Sequence, residues 1–68
     1  MTTPREWIED FAARLGVEPP TPEETEVLLE LAGVAARASE RVAAPIACFL
    51  VGRAAAAPTA ALATARDL

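Results

Sequence analysis

The sequence has no histidine, lysine or tyrosine, one cysteine and three aromatic residues. Cys48 therefore has no histidine to act as the base that would activate its thiol, and we interpret it as a small buried apolar residue. One cysteine cannot form an internal disulfide, and no Cys/His cluster has the spacing of a zinc site. We expect a protein that is not an enzyme and that holds no metal or cofactor.

Basic clusters and long apolar runs are also lacking. The net charge is −4 and the six arginines are scattered, whereas a nucleic-acid interface needs a basic patch. No segment reaches the roughly 18 consecutive apolar residues of a membrane helix, and the N-terminus does not have the pattern of a signal peptide. We expect a cytoplasmic protein whose partner is another protein or a second copy, without nucleic acid or membrane.

Size limits what the chain can bury. Its 68 residues are enough for one domain, residues 1–68, and domains this small bury a low fraction of their surface. Hydrophobic residues make up 53% of the chain, but many are alanines, which gain little from burial. We therefore expect close helix packing together with dependence on a partner.

Two capping boxes mark the starts of helices. Thr3 and Thr21 are each followed by a proline and, three residues after the threonine, by a glutamate. Gly16 is suited to the left-handed position that closes the first helix, and nothing alternates as a strand would. The sequence predicts an all-α bundle of three helices and a shorter fourth, over about residues 4–15, 22–41, 45–56 and 58–66.

The run from Ala44 to Gly52 is apolar on every side, which is typical of a helix in the middle of a structure. Proline at the first position of a helix loses no hydrogen bond, so Pro45 is expected to begin it. The large side chains on the helix faces form the predicted core: Phe11, Leu15, Leu28, Leu31, Ile46, Phe49 and Leu50.

Four residues are candidates for an interface. Gly33 lies within the second helix at a cost of about 1 kcal/mol relative to alanine, which a close helix crossing would offset, and Gly52 would likewise allow close approach. Trp7 is either a core aromatic or an interface anchor. Arg53 is the only charge in the apolar helix, so either its stem reaches solvent or its guanidinium pairs with an acid across an interface.

Arg41 and Arg53 are candidates for an anion site at the start of the third helix, where free N–H groups and the helix dipole favour negative charge. Arg41 also has a simpler interpretation, which we favour: it complements the negative end of the second helix.

Several motifs of the chain are similar to those of a known family. They are Trp7, Leu15-Gly16, Leu28 to Ala32, Arg41, Ala43-Ala44-Pro45 and Phe49-Leu50-Val51-Gly52. The chain resembles a small helical domain of uncharacterised function from high-GC bacteria, which occurs alone or fused after the catalytic domain of the molybdenum cofactor guanylyltransferase. Two positions depart from that pattern: Arg37 stands where many relatives have histidine, and Val42 where proline is expected. A family function that uses the histidine would be absent here.

The resemblance implies a role in the assembly or delivery of the molybdenum cofactor. The nucleotide loop of the guanylyltransferase has no counterpart in this chain, so that activity is not implied. We expect a non-catalytic helical adaptor that docks on the guanylyltransferase or on a molybdoenzyme. Two alternatives remain: a module that binds a small anion or nucleotide-like cofactor, and a homodimeric structural module.

Overall fold

The computed structural model describes residues 3–68, and its regular secondary structure is entirely helical. The prediction of an all-α fold with a shorter fourth helix is confirmed for this part of the chain. The helices are α1 (Pro4–Leu15), α2 (Pro22–Ala38), α3 (Ala43–Ala54) and α4 (Pro58–Arg66).

Both predicted capping boxes form. The Glu6 N–H donates to Thr3 Oγ1 and the Thr3 N–H donates to Glu6 Oε1, each at 3.1 Å. Thr21 and Glu24 repeat the exchange at 3.1 and 2.9 Å. Gly16 ends α1 in the left-handed conformation, with φ of 76°, which glycine adopts without a steric cost.

The first capping box also changes the titration of Glu6. The hydrogen bond from the Thr3 backbone N–H, followed by the contact with the Thr3 hydroxyl, lowers the pKa of Glu6 below its ordinary value. A lowered pKa means that the folded state favours the ionised carboxylate. The contribution of this bond to stability is therefore complete above the ordinary glutamate pKa and is lost as the pH falls through the lowered value.

The bounds of α2 and α3 differ from the prediction. α2 ends at Ala38, three residues before the predicted Arg41, because Ser39 leaves the helical region with φ of −134° and ψ of −105°. α3 begins at Ala43 and not at Pro45. Proline is tolerated there because the first-turn N–H groups have no partner within the helix. α3 also ends at Ala54, two residues earlier than predicted, where Ala55 turns left-handed.

The centre of the fold is α2, so the expectation that the all-apolar α3 lies in the middle is wrong. Both α3 and α4 pack against α2, and the Glu30 carboxylate on α2 pairs with the Arg66 guanidinium on α4. No side chain of α3 is fully buried. The α3 residues that turn toward the interior are small or medium in size and are only partly buried: Ala44, Ala47, Cys48 and Val51.

The fully buried core is much smaller than predicted. Within residues 3–68 it consists of Ala12, Leu31 and Leu62, of which Leu31 is the most deeply buried. Leu28, on α2 as well, is partly buried. Small side chains on the inner faces allow helices to approach closely, and the large ones then lie on the outer faces. Five predicted core residues are consequently exposed: Phe11, Leu15, Ile46, Phe49 and Leu50.

Neither Gly33 nor Gly52 lies at a close helix crossing within the described part of the chain. A Cβ added at Gly33 would meet the Arg37 guanidinium, whose nearest nitrogen is 3.0 Å away, and a Cβ at Gly52 would meet nothing within 4 Å. The prediction that a close helix crossing explains Gly33 is therefore wrong for a single chain, because the nearest neighbour is the flexible Arg37 side chain of the same helix.

The substitution Gly33→Ala is expected to raise the free energy of unfolding by about 0.5–1 kcal/mol, since glycine in a helix interior is worse than alanine by that amount. The end of Arg37 can move aside at little cost. Chemical denaturation followed by circular dichroism measures the change. A loss of stability would instead mean that another helix approaches Gly33 in solution.

The chain is less compact than is usual for its length. Its radius of gyration is 12.3 Å, whereas a compact chain of this size has about 11 Å. In the described part of the chain, no helix combines the length and the apolar character needed to cross a membrane.

Candidate functional site

One face of α3 exposes a continuous apolar surface, which we call the outer α3 face: Ile46, Phe49, Leu50 and Arg53. These residues follow the three- and four-residue spacing that places side chains on one side of a helix. Ile46, Phe49 and Leu50 are 56%, 56% and 54% exposed. The opposite side of α3 is turned toward α2, so these three large side chains are left more than half exposed.

Arg53 lies over this apolar surface. Its guanidinium carbon is 4.5 Å from the centre of the Phe49 ring, within the range of a cation–π contact. Neither ion pair found within residues 3–68 involves Arg53. Arginine above an exposed aromatic ring combines two residue types that are enriched at protein interfaces. The structure thus brings together the predicted interface residue Arg53 and Phe49, which was expected in the core.

A second exposed surface lies on α1, which we call the α1 stripe: Trp7, Phe11 and Leu15. Their exposed fractions are 57%, 49% and 60%. The Trp7 and Phe11 rings contact each other, with centroids 5.0 Å apart and planes at 31°. Trp7 is therefore not a core aromatic within the chain, and its role as an interface anchor stays a prediction. The fully buried residue of α1 is Ala12, so its small side faces inward, as on α3.

The accessible surface is large for a chain of this mass. The accessible surface area is 5501 Å² for 7.1 kDa, whereas folded monomers of this mass expose about 4,100 Å². The excess of about 1,400 Å² exceeds the roughly 800 Å² that each partner buries in a standard protein interface. Part of this surface is apolar, since large hydrophobic side chains on α1 and α3 are about half exposed or more, and exposed apolar patches mark interaction sites.

The predicted anion site does not assemble. The Ala43 N–H donates to the Glu40 carbonyl and the Ala44 N–H to the Arg41 carbonyl, and Pro45 has no N–H to offer. Arg53 lies at the far end of α3, about 15 Å along the axis from the first turn. Since the two arginines are separated by the length of the helix, they cannot close on one small anion.

A groove between α1 and α2 was not predicted. Its apolar lining comes from both helices and from the proline-rich connection between them, and its volume is about 580 Å³. The sequence feature that could have predicted this groove is the set of prolines Pro19, Pro20 and Pro22. Their rings hold the connection extended and keep the two helices apart. The lining residues are Thr3, Pro4, Arg5, Ile8, Glu9, Pro19, Pro20, Pro22, Thr25 and Leu29.

The remaining reactive groups are not gathered into a site. Cys48 is a partly buried free thiol. Within residues 3–68, no three of the Cys, Asp and Glu side chains lie close enough together to hold a metal ion.

The comparisons with known proteins identify a family. Neither the curated proteins nor the solved structures give a match. A family model described as a domain of unknown function (DUF6457) matches residues 1–68, the whole length of the chain. The chain therefore belongs to the DUF6457 family.

Proposed function

We propose that this chain is a non-catalytic helical adaptor that docks on a protein partner through the outer α3 face. The single observation that carries the proposal is the orientation of α3, which turns its small residues inward and leaves Ile46, Phe49 and Leu50 more than half exposed. Large apolar side chains arranged around an arginine form the kind of anchor that dominates binding energy at interfaces.

The composition supports the non-catalytic part of the proposal. General acid–base or nucleophilic chemistry needs a nucleophile and a base within hydrogen-bond reach. The chain has no histidine, lysine or tyrosine, and the thiol of Cys48 is on the inner side of α3. The side chains that are accessible on the outer α3 face are suited to packing and not to proton transfer.

The partner we propose is the catalytic domain of a molybdenum cofactor guanylyltransferase. This choice rests on the resemblance of the Ala43-Ala44-Pro45 and Phe49-Leu50-Val51-Gly52 motifs to a domain fused to that enzyme. A domain that is fused to an enzyme in some proteins and separate in others often retains a surface for it. The two motifs lie at opposite ends of α3, so the helix that carries the resemblance is also the one with the unpartnered face.

Isothermal titration calorimetry of the whole chain with that catalytic domain tests the proposal. We expect saturable binding whose heat becomes more favourable on warming, since burial of apolar surface gives a negative heat-capacity change. Guanosine triphosphate in place of the domain should give no heat, because the start of α3 has no free N–H groups for a phosphate. Binding of the nucleotide without binding of the domain would reject the adaptor.

A further inference from the structure

We propose that the α1 stripe is covered in solution by the α1 stripe of a second copy of this chain. The two helices would lie antiparallel, with the two-fold axis beside Phe11, so that Trp7 of each copy faces Leu15 of the other. This inference concerns a different surface from the outer α3 face and does not depend on the proposed function.

The first reason is the weak attachment of α1 to its own chain. α3 and α4 both pack extensively on α2, and α1 does not. Ala12 is its only fully buried side chain, while the Trp7–Phe11 pair is exposed. A helix with an aromatic stripe gains most of its stability from packing that stripe against another element, and within residues 3–68 about half or more of each stripe side chain is left exposed.

The second reason is that the charges beside the stripe are self-complementary. Asp10 follows Trp7 by three residues and Arg14 follows Phe11 by three, so both lie along the same edge of the stripe. Neither is in an ion pair within the described residues, where α1 has only the Arg5–Glu9 pair. In an antiparallel pair, Arg14 of each copy would lie beside Asp10 of the other, and the helix dipoles would be opposed.

The third reason is the area available. The chain exposes about 1,400 Å² more than a compact monomer of its mass, and a standard interface needs about 800 Å² from each partner. The stripe and the outer α3 face lie on different helices and share this excess, so a dimer through the stripe does not use the outer α3 face. A dimer of this kind would present two outer α3 faces, which raises the avidity for a partner with two sites.

Light scattering coupled to size-exclusion chromatography, with the chain alone, tests the inference. We expect the native chain to have twice the mass of 7.1 kDa. Arg14→Glu would place like charges together at both symmetry-related contacts, and we expect it to raise the dimer dissociation constant at least about tenfold. Adding Asp10→Arg to that variant should restore the dimer. Arg37→Glu, an exposed charge reversal on α2, is the matched control and should leave the dimer intact.

Three results would overturn the inference: a native chain that is monomeric at every accessible concentration, a dimer that tolerates Arg14→Glu, or a double variant that stays monomeric. A dimer that is lost with Phe49→Ser but tolerates Arg14→Glu would place the second copy on the outer α3 face instead. Far-UV circular dichroism checks that each variant is helical. These experiments use the chain alone, without a guanylyltransferase domain, so their outcome does not depend on whether the adaptor proposal is correct.

Discussion

Leu31→Ala is expected to remove a large part of the stability of the domain. Leu31 is 2% exposed and lies on α2, the helix against which α3 and α4 pack. Removing a buried leucine side chain costs about 2–5 kcal/mol. A chain of 68 residues has a total stability of about 3–10 kcal/mol, and the few other fully buried side chains cannot compensate for the loss.

The measurement is urea denaturation followed by far-UV circular dichroism, at one fixed chain concentration because association would shift the transition. Leu29→Ala is the matched control, since Leu29 lies on the same helix, two residues away, and is 68% exposed. We expect the control to change stability by less than about 0.5 kcal/mol. Equal losses for the two variants would mean that α2 is not oriented as described.

Phe49→Ser is expected to abolish partner binding while leaving the domain folded. Truncating a central interface aromatic typically costs about 2–4 kcal/mol, which weakens affinity about 30-fold or more. The Phe49 ring also supports the Arg53 guanidinium from 4.5 Å, so its removal releases both anchors. Because Phe49 is 56% exposed in the chain, the variant should lose little of its unfolding free energy.

A second pair of variants makes the same leucine-to-serine substitution at two positions, so that the effect of the position can be distinguished from the effect of the substitution itself. Leu50 on the outer α3 face and Leu29 on α2 are both more than half exposed. In calorimetric titrations with the guanylyltransferase catalytic domain, Leu50→Ser should weaken binding and Leu29→Ser should not. If Phe49→Ser unfolds the chain, Phe49 belongs to a core and the outer α3 face is not a docking surface.

The local signals in the sequence were sufficient to predict where α1 and α2 start. A threonine cap, a proline and a glutamate at fixed spacing determine the first turn through hydrogen bonds within four residues, and both boxes form at Thr3 and Thr21. The end of α2 was not predictable in this way. It depends on the turn from Ser39 to Val42, which has neither glycine nor proline to mark it.

The orientation of α1 and α3 could not be predicted from hydrophobicity alone. α3 has a side with small residues and a side with large apolar residues, and α1 has Ala12 beside its aromatic stripe. The usual rule places the large residues inside. On α3 the small residues, among them Ala47, lie toward α2, and on α1 the fully buried residue is Ala12. Which side of a helix faces inward depends on its contacts with other helices, and the apolar pattern of the helix alone does not determine them. The exposed Phe11 and Phe49 follow from that choice, and with them both candidate interaction surfaces.

The most direct test of the adaptor is light scattering on the native chain mixed with the catalytic domain of a molybdenum cofactor guanylyltransferase. We expect a single peak that contains both proteins and is heavier than either alone, and separate peaks when the chain carries Phe49→Ser. Separate elution of the native chain and the domain at every mixing ratio would contradict it.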